Sequence, residues 1–149
     1  MDIEPDIILS IALKEGCVLY FKHDDFKYSN DSHYFVVLNT HKEIDDFLIL
    51  AYATSQEKTI EKSMKYARPE TFITITPADY PKFIKTTYFN CNNIYKITKT
   101  ELTKKIKEGK CSIHDPLPNK FFSLIRAGVL VSKTVEGIYK KLIYPDYNN

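Results

Sequence analysis

Two strongly apolar runs, HYFVVLN at 33–39 and DFLILAYAT at 46–54, most constrain how this 149-residue chain can fold. Both are rich in β-branched and aromatic residues, which favours buried β-strands. Six residues at 40–45, all polar except Ile44, separate the runs, a spacing that suggests an antiparallel hairpin. The longest uninterrupted apolar run, Phe47 to Ala53, is seven residues, whereas a transmembrane helix needs roughly 20. We therefore expect a sheet built around this hairpin and no membrane partner.

The remaining elements follow from hydrophobic spacing and from helix signals. Ser55 is a candidate N-cap for a helix with a thin apolar face, and Thr98 and Glu101 form a capping box that predicts a helix ended by Gly109. Gly128 is expected to end or bend the following helix. The pattern predicts further strands at 17–21, 71–76 and 94–97, and helices at 6–14, 100–108, 118–128 and 133–142, whereas 55–67 is either a marginal surface helix or an ordered loop. Strands come mostly first and helices mostly last, which indicates an α+β domain or a β-barrel with helices.

Length and composition indicate one cytoplasmic domain. No repeat and no Gly/Ser linker divides residues 1–149, a length typical of one domain. The N-terminus carries three acidic residues before its first lysine, whereas a secretory signal begins with basic residues. The three cysteines are an odd number, widely spaced and without a CxxC pair, which favours reduced thiols in the cytoplasm.

Several catalytic motifs are missing from the sequence. It has no GxGxxG, no P-loop, no HExxH and no GxSxG, so phosphate-loop hydrolysis, zincin chemistry and α/β-hydrolase chemistry have no support. His23, Asp24 and Asp25 are adjacent in sequence, but neighbours on an extended chain point in different directions. We therefore expect no metal and no cofactor.

His33 and Thr54 are the strongest candidates for a reactive pair. His33 begins the first apolar run and Thr54 ends the second, so an antiparallel hairpin places them at the same edge of the sheet. An imidazole beside the hydroxyls of Thr54 and Ser55 suits general acid–base chemistry with hydrogen-bond donors for a transition state. Alternatively, His33 is a partly exposed residue at a strand start and Thr54 is a helix cap.

A basic stretch suggests a surface for a polyanion. Residues 51–149 hold seventeen of the 21 basic residues but only nine of the 19 acidic ones. Lysines between 96 and 110, with nearby aromatic and amide side chains, can follow a phosphate backbone and stack bases. They can equally be a solvated helix face. The candidate RNA-binding residues are Lys96, Lys99, Lys104, Lys105, Tyr88 and Asn90.

The order of these segments resembles the MazF/PemK-like toxin family. The matching parts are GCVLYF at 16–21, a polar loop, HYFVVLN, a polar turn and DFLILAYATSQ at 46–56. TFITIT at 71–76, the segment 86–102 and PNKFFSLIRAGVLVS at 118–132 are similar to later parts of the family. The resemblance spans about residues 16–132, and ATSQ with the strand order is its most specific part.

The resemblance implies an SH3-like antiparallel β-barrel with appended C-terminal helices, one domain over 1–149. It implies a metal-independent endoribonuclease toxin that cleaves single-stranded RNA to a cyclic phosphate, is silenced by an antitoxin and forms a homodimer. The family's catalytic threonine corresponds to Thr54, beside Ser55, and its catalytic arginine corresponds to His33. The family's opening Gly-Asp is Gly16-Cys17 here. These departures leave a second hypothesis, a non-catalytic SH3-like barrel that binds a protein or a nucleic acid.

Overall fold

The computed structural model describes residues 16–27, 31–39 and 47–147, and an antiparallel six-stranded sheet forms its centre. The predicted hairpin of the two apolar runs is confirmed, since their strands pair antiparallel. The strands are β1 Val18–Phe21, β2 His33–Val37, β3 Phe47–Thr54, β4 Phe72–Ile75, β5 Thr87–Thr98 and β6 Ser112–His114. The helices are α1 Glu57–Met64, α2 Lys99–Lys107, α3 Asn119–Val131 and α4 Gly137–Ile143.

The strands lie in the order β4-β5-β3-β2-β1-β6. Within the described residues this order is linear, and the short strands β4 and β6 each pair on one side only. The α+β class is therefore confirmed, but the sheet is not closed within residues 16–27, 31–39 and 47–147, and the SH3-like barrel is not confirmed. The predicted helix at 6–14 and the turn at 40–45 lie outside the described residues.

Both faces of the central strands are buried, which explains why their sequences are continuous apolar runs rather than alternating ones. On one face Val36, Ile49 and Phe89 pack against α3 through Phe122 and Ile125. On the other face Leu19, Phe35, Val37 and Leu50 pack together with Leu102 of α2. The sheet is thus a middle layer that holds the ends of β2 and β3 in a fixed register.

Several element boundaries differ from the sequence prediction. Helix α1 has Gln56 as its N-cap, without a side-chain cap bond, so Ser55 is not the cap. The predicted short strand at 94–97 is the end of the twelve-residue β5, which pairs with β3 on one side and β4 on the other. The sequence did not predict β6. Helix α2 matches its signals, because the Thr98 Oγ1 atom accepts from Glu101 N at 3.1 Å and Gly109 follows with φ +72°.

Gly128 neither ends nor visibly interrupts α3, which continues to Val131. A Cβ atom at this position would lie 2.8 Å from the Cys91 Sγ atom and 3.0 Å from the Glu70 carbonyl oxygen. The glycine is therefore needed for the close approach of α3 to β5 and to the 3₁₀ turn at Pro69–Thr71.

Strand β5 contains a bulge of three residues next to this helix. Ala51 of β3 pairs with Ile94, and the next residue, Tyr52, pairs with Asn90. Cys91, Asn92 and Asn93 therefore have no counterpart on β3. Bulges of this kind bend a strand and redirect side chains, often beside functional sites.

Candidate functional site

A cleft of about 360 Å³ opens at the end of the sheet where β2 begins and β3 ends. His33, Thr54 and Ser55 line it together, as do Lys85 and Tyr20. Three residues that the sequence analysis selected as catalytic candidates therefore share one solvent-accessible space. Whether they act in catalysis stays a prediction.

The strand register explains why His33 and Thr54 meet. The pairing of β2 with β3 ends at Phe35 and Tyr52, and His33 and Thr54 each lie two residues beyond that pair, at the same end of the hairpin. Residues two apart on a strand share a face, so both side chains lie on the face of the Phe35–Tyr52 pair. The juxtaposition is therefore a property of the hairpin and needs no special loop conformation.

The His33 ring is partly buried between two aromatic side chains. Its centroid lies 5.0 Å from that of Phe26 and 5.2 Å from that of Tyr52. Burial lowers the pKa of His33 below its ordinary value of 6.5, and the nearby charge of Asp31 opposes this effect. The imidazole is therefore predominantly neutral at pH 7, the state in which it can accept a proton.

Thr54 is buried, and its side chain already has a local partner. The Oγ1 atom accepts a hydrogen bond from Gln56 N at 3.1 Å, which fixes the orientation of the hydroxyl where β3 ends. A hydroxyl carries one proton to donate as well as lone pairs to accept. Thr54 can therefore donate to an oxygen atom in the cleft while it accepts from the backbone, and Ser55 beside it is exposed.

The structure adds Lys85 and Tyr20 to the candidate site. Lys85 is exposed and brings a cation to the cleft, and Tyr20 is 38% exposed, with its ring 4.5 Å from that of Tyr34. Neither residue had a distinct signal in the sequence. Lys85 lies in a segment without periodicity, and Tyr20 is one aromatic among several in an apolar strand.

The six predicted RNA-binding residues lie outside the cleft that holds His33. Tyr88 is adjacent to Thr54 in the strand register, and Asn90 is two residues further along β5. The Lys96 Nζ atom donates to the Tyr139 hydroxyl at 2.8 Å, and Lys105 Nζ lies 3.0 Å from the Asp24 carboxylate. The two remaining residues of the set are Lys104, which lies 4.0 Å from Glu108, and Lys99, the first residue of α2.

Lys105 nevertheless lies close to the candidate site. It lines a second cleft of about 610 Å³ with Lys22 and Lys110, and this cleft shares Tyr20 and Ser32 with the cleft of His33. The two clefts are therefore contiguous on the surface.

Thiol and metal chemistry have little support in the described part of the chain. Burial raises the pKa of the Cys91 and Cys111 thiols to about 12, which disfavours the nucleophilic thiolate. Residues 16–27, 31–39 and 47–147 contain no cluster of three or more His, Cys, Asp or Glu side chains suited to a metal ion. Among these same residues no helix is long and apolar enough to cross a membrane.

Comparison with known proteins identifies the class of fold. No family model matches the sequence, and no curated protein matches it either. Among solved structures, the chain is similar to a mycobacterial endoribonuclease that was solved in complex with its cognate antitoxin. The TM-score is 0.51 at 13% identity, and the match covers 82% of this chain and 95% of the other.

The fold is therefore that of an endoribonuclease from a toxin–antitoxin complex. This confirms, at the level of the fold, the resemblance to the MazF/PemK-like toxins that the order of the sequence segments carries. At 13% sequence identity, the similarity shows a shared fold and no more.

Proposed function

We propose that this protein is an endoribonuclease toxin that cleaves single-stranded RNA without a metal ion, as the MazF/PemK-like resemblance implies. The observation that carries the proposal is the shared cleft of His33, Thr54 and Ser55 in a fold also found in an endoribonuclease. The proposal includes a cytoplasmic location, one domain over 1–149 related to the family's SH3-like barrel, an antitoxin partner and a homodimer.

The proposed reaction uses the substrate's own ribose as the nucleophile. The neutral His33 imidazole removes the proton of the 2′-hydroxyl, whose oxygen then attacks the adjacent phosphorus. The bond from phosphorus to the 5′-oxygen breaks, leaving a 2′,3′-cyclic phosphate and a 5′-hydroxyl. The Thr54 and Ser55 hydroxyls donate to the phosphoryl oxygens, and the Lys85 ammonium offsets their developing negative charge and can protonate the leaving oxygen.

Histidine in place of the family's arginine changes how the site would work. An arginine is a permanent cation that binds phosphate through two donors, whereas a histidine with a lowered pKa is mostly neutral at pH 7. His33 is therefore suited to proton transfer rather than to charge stabilisation. In this proposal Lys85 supplies the positive charge that the arginine provides in the family.

The bond from Gln56 N to the Thr54 hydroxyl favours a second candidate function. This bond caps the end of β3, so the threonine has a structural role whether or not it touches substrate. In that case the protein is a non-catalytic module, and the cleft with the 88% exposed Ile84 at its rim binds a protein or nucleic-acid partner.

End-group analysis of cleaved RNA separates the two functions. Purified protein incubated with mixed-sequence single-stranded RNA and a metal chelator should yield fragments with 2′,3′-cyclic phosphate and 5′-hydroxyl ends. RNA with 2′-O-methyl riboses should remain intact because the nucleophile is blocked. Complete absence of cleavage across salt and pH conditions would instead support the binding module.

The pH profile of cleavage should show His33 acting as a base. Burial lowers its pKa below 6.5, so kcat/KM should rise with pH through that lowered pKa and then level off. The measurement is kcat/KM for a short oligoribonucleotide from about pH 4.5 to 8. The residual cleavage by His33→Ala should not show this rise of kcat/KM with pH. A wild-type rate that instead falls as His33 loses its proton would assign it the role of an acid.

A further inference from the structure

A third cleft, of about 600 Å³, lies on the bulge of β5. We name it the asparagine cleft; it is formed by Asn90, Asn92 and Asn93, by the segment that follows α1 and by the segment that follows α3. None of its lining residues lines the cleft of His33. It is therefore a separate site, and Asn90 is its one residue among the six predicted RNA-binding residues.

A network of hydrogen bonds centred on Asn92 fixes the floor of the asparagine cleft. The Asn92 Nδ2 atom donates to Thr71 Oγ1 at 2.8 Å and to Asn90 Oδ1 at 2.9 Å, and Asn92 Oδ1 accepts from Ser132 Oγ at 2.8 Å. The Thr134 hydroxyl donates to the Asn92 carbonyl oxygen at 2.8 Å. The bulge thereby joins β5 to two distant segments, near residues 71 and 132–134, and holds a polar surface in one arrangement.

The charge around this floor is positive. Lys65, Arg68 and Lys133 line the asparagine cleft, and no carboxylate side chain does so. None of these three cations forms an ion pair within the part of the chain that the structure describes. A fourth cation, the buried Lys140, donates from Nζ to the Ser132 carbonyl oxygen at 2.6 Å at the edge of the cleft. An anion placed here meets three uncompensated positive side chains.

An exposed aromatic ring narrows the class of ligand. Tyr66, also on the lining, is 89% exposed, and Asn93 beside it presents an exposed amide. Exposed aromatic rings stack on nucleobases, cations neutralise phosphate, and amide groups bond to base edges. A free inorganic anion would use only the cations.

We infer that the asparagine cleft binds a nucleoside phosphate, either as a free nucleotide or as one unit of a single-stranded RNA. Tyr66 stacks on the base, Arg68 with Lys65 and Lys133 contacts the phosphate, and Asn93 bonds to the base edge. This inference is independent of RNA cleavage, because it uses no residue of the cleft of His33.

The test compares binding by wild type and by three variants. The probes are AMP and a fluorescent 2′-O-methyl oligonucleotide, which cannot be cleaved through its 2′-oxygens. Tyr66→Ala should weaken binding by about 5-fold to 150-fold, the range measured for loss of one stacked base. The double variant Arg68→Glu with Lys133→Glu should flatten the log–log salt slope of oligonucleotide binding by about 1.4, as expected for two lost phosphate contacts on a single strand. The control, Lys141→Glu, reverses an exposed lysine that does not line this cleft and should bind like wild type.

The outcomes distinguish a free nucleotide from a strand as the ligand, and they distinguish binding at the asparagine cleft from effects at the cleft of His33. AMP binding that depends on Tyr66 and Arg68 supports a free nucleotide, and oligonucleotide binding alone with the same dependence supports a strand. Lys85→Glu changes only the cleft of His33 and should leave AMP binding intact even if cleavage is lost. Wild type that binds neither probe, or binding unchanged in Tyr66→Ala and in the double variant, would overturn the inference.

Discussion

His33→Ala is expected to lower the rate of RNA cleavage by about 10²–10⁴-fold, the usual contribution of general acid–base catalysis. The ring is only partly buried at the start of β2, so the fold should survive its removal. The measurement is the single-turnover cleavage rate, with circular dichroism as the check on folding. His114→Ala is the matched control, because burial also lowers the pKa of His114 but its side chain does not line the cleft.

His33→Arg distinguishes proton transfer from charge stabilisation at the same position. Arginine restores the cation of the MazF/PemK-like toxins but cannot exchange a proton near neutral pH. If His33 is the base, this variant should be as inactive as His33→Ala. Activity equal to or above wild type would show instead that the site works by electrostatic stabilisation.

Gly128→Val is expected to cause the largest loss of stability, about 1–3 kcal/mol or more in the free energy of unfolding. A Cβ atom would lie 2.8 Å from Sγ of the fully buried Cys91 and 3.0 Å from a backbone oxygen, so neither neighbour can move aside without disturbing the core. Helix α3 would have to move away from β5, which would disturb packing around Ile125 and Val129. Chemical denaturation with a linear extrapolation measures the change.

The control for this substitution is the preceding residue of the same helix. Ala127 is exposed, so Ala127→Val adds the same kind of side chain to α3 with no neighbour to displace. It should change stability only by the small cost of a β-branched residue in a helix, a few tenths of a kcal/mol. Equal losses for the two variants would mean that the contact between α3 and β5 tolerates a larger separation.

The parts of the fold that depend on local signals were predictable from the sequence. The hairpin of β2 and β3 follows from two apolar runs and a short polar connection, and α2 follows from the capping box at Thr98 and Glu101. Strand β6 was missed because three residues carry no periodicity, and its pairing with β1 depends on contacts distant in sequence. Most of β5 was not predicted because residues 86–93 are largely polar. A strand that pairs with β3 on one side and β4 on the other does not need a fully apolar sequence.

The same distinction applies to the candidate sites. His33 and Thr54 could be paired in advance because one hairpin determines their register. The position of Lys85 and the asparagine cleft could not be predicted, because both depend on loops and bulges that come together only in the folded chain. The sequence analysis selected Asn90 for RNA binding, and it gave no sign that Asn92 joins segments near residues 71 and 132.

The pairing of β1 with β6 has a consequence for how the chain folds during synthesis. Val18 pairs with His114, whereas β1, β2 and β3 pair in order along the chain. At about 5–20 residues per second, a ribosome makes His114 roughly 5–20 s after Val18. The meander of β1, β2 and β3 can therefore form first. At that point β1 has no partner on its outer side, and β3 is not yet paired with β5. Both outer edges of such a meander stay unpaired until residues 87–98 and 112–114 have been made, and the non-local pairing of β1 with β6 is of the kind that forms slowly.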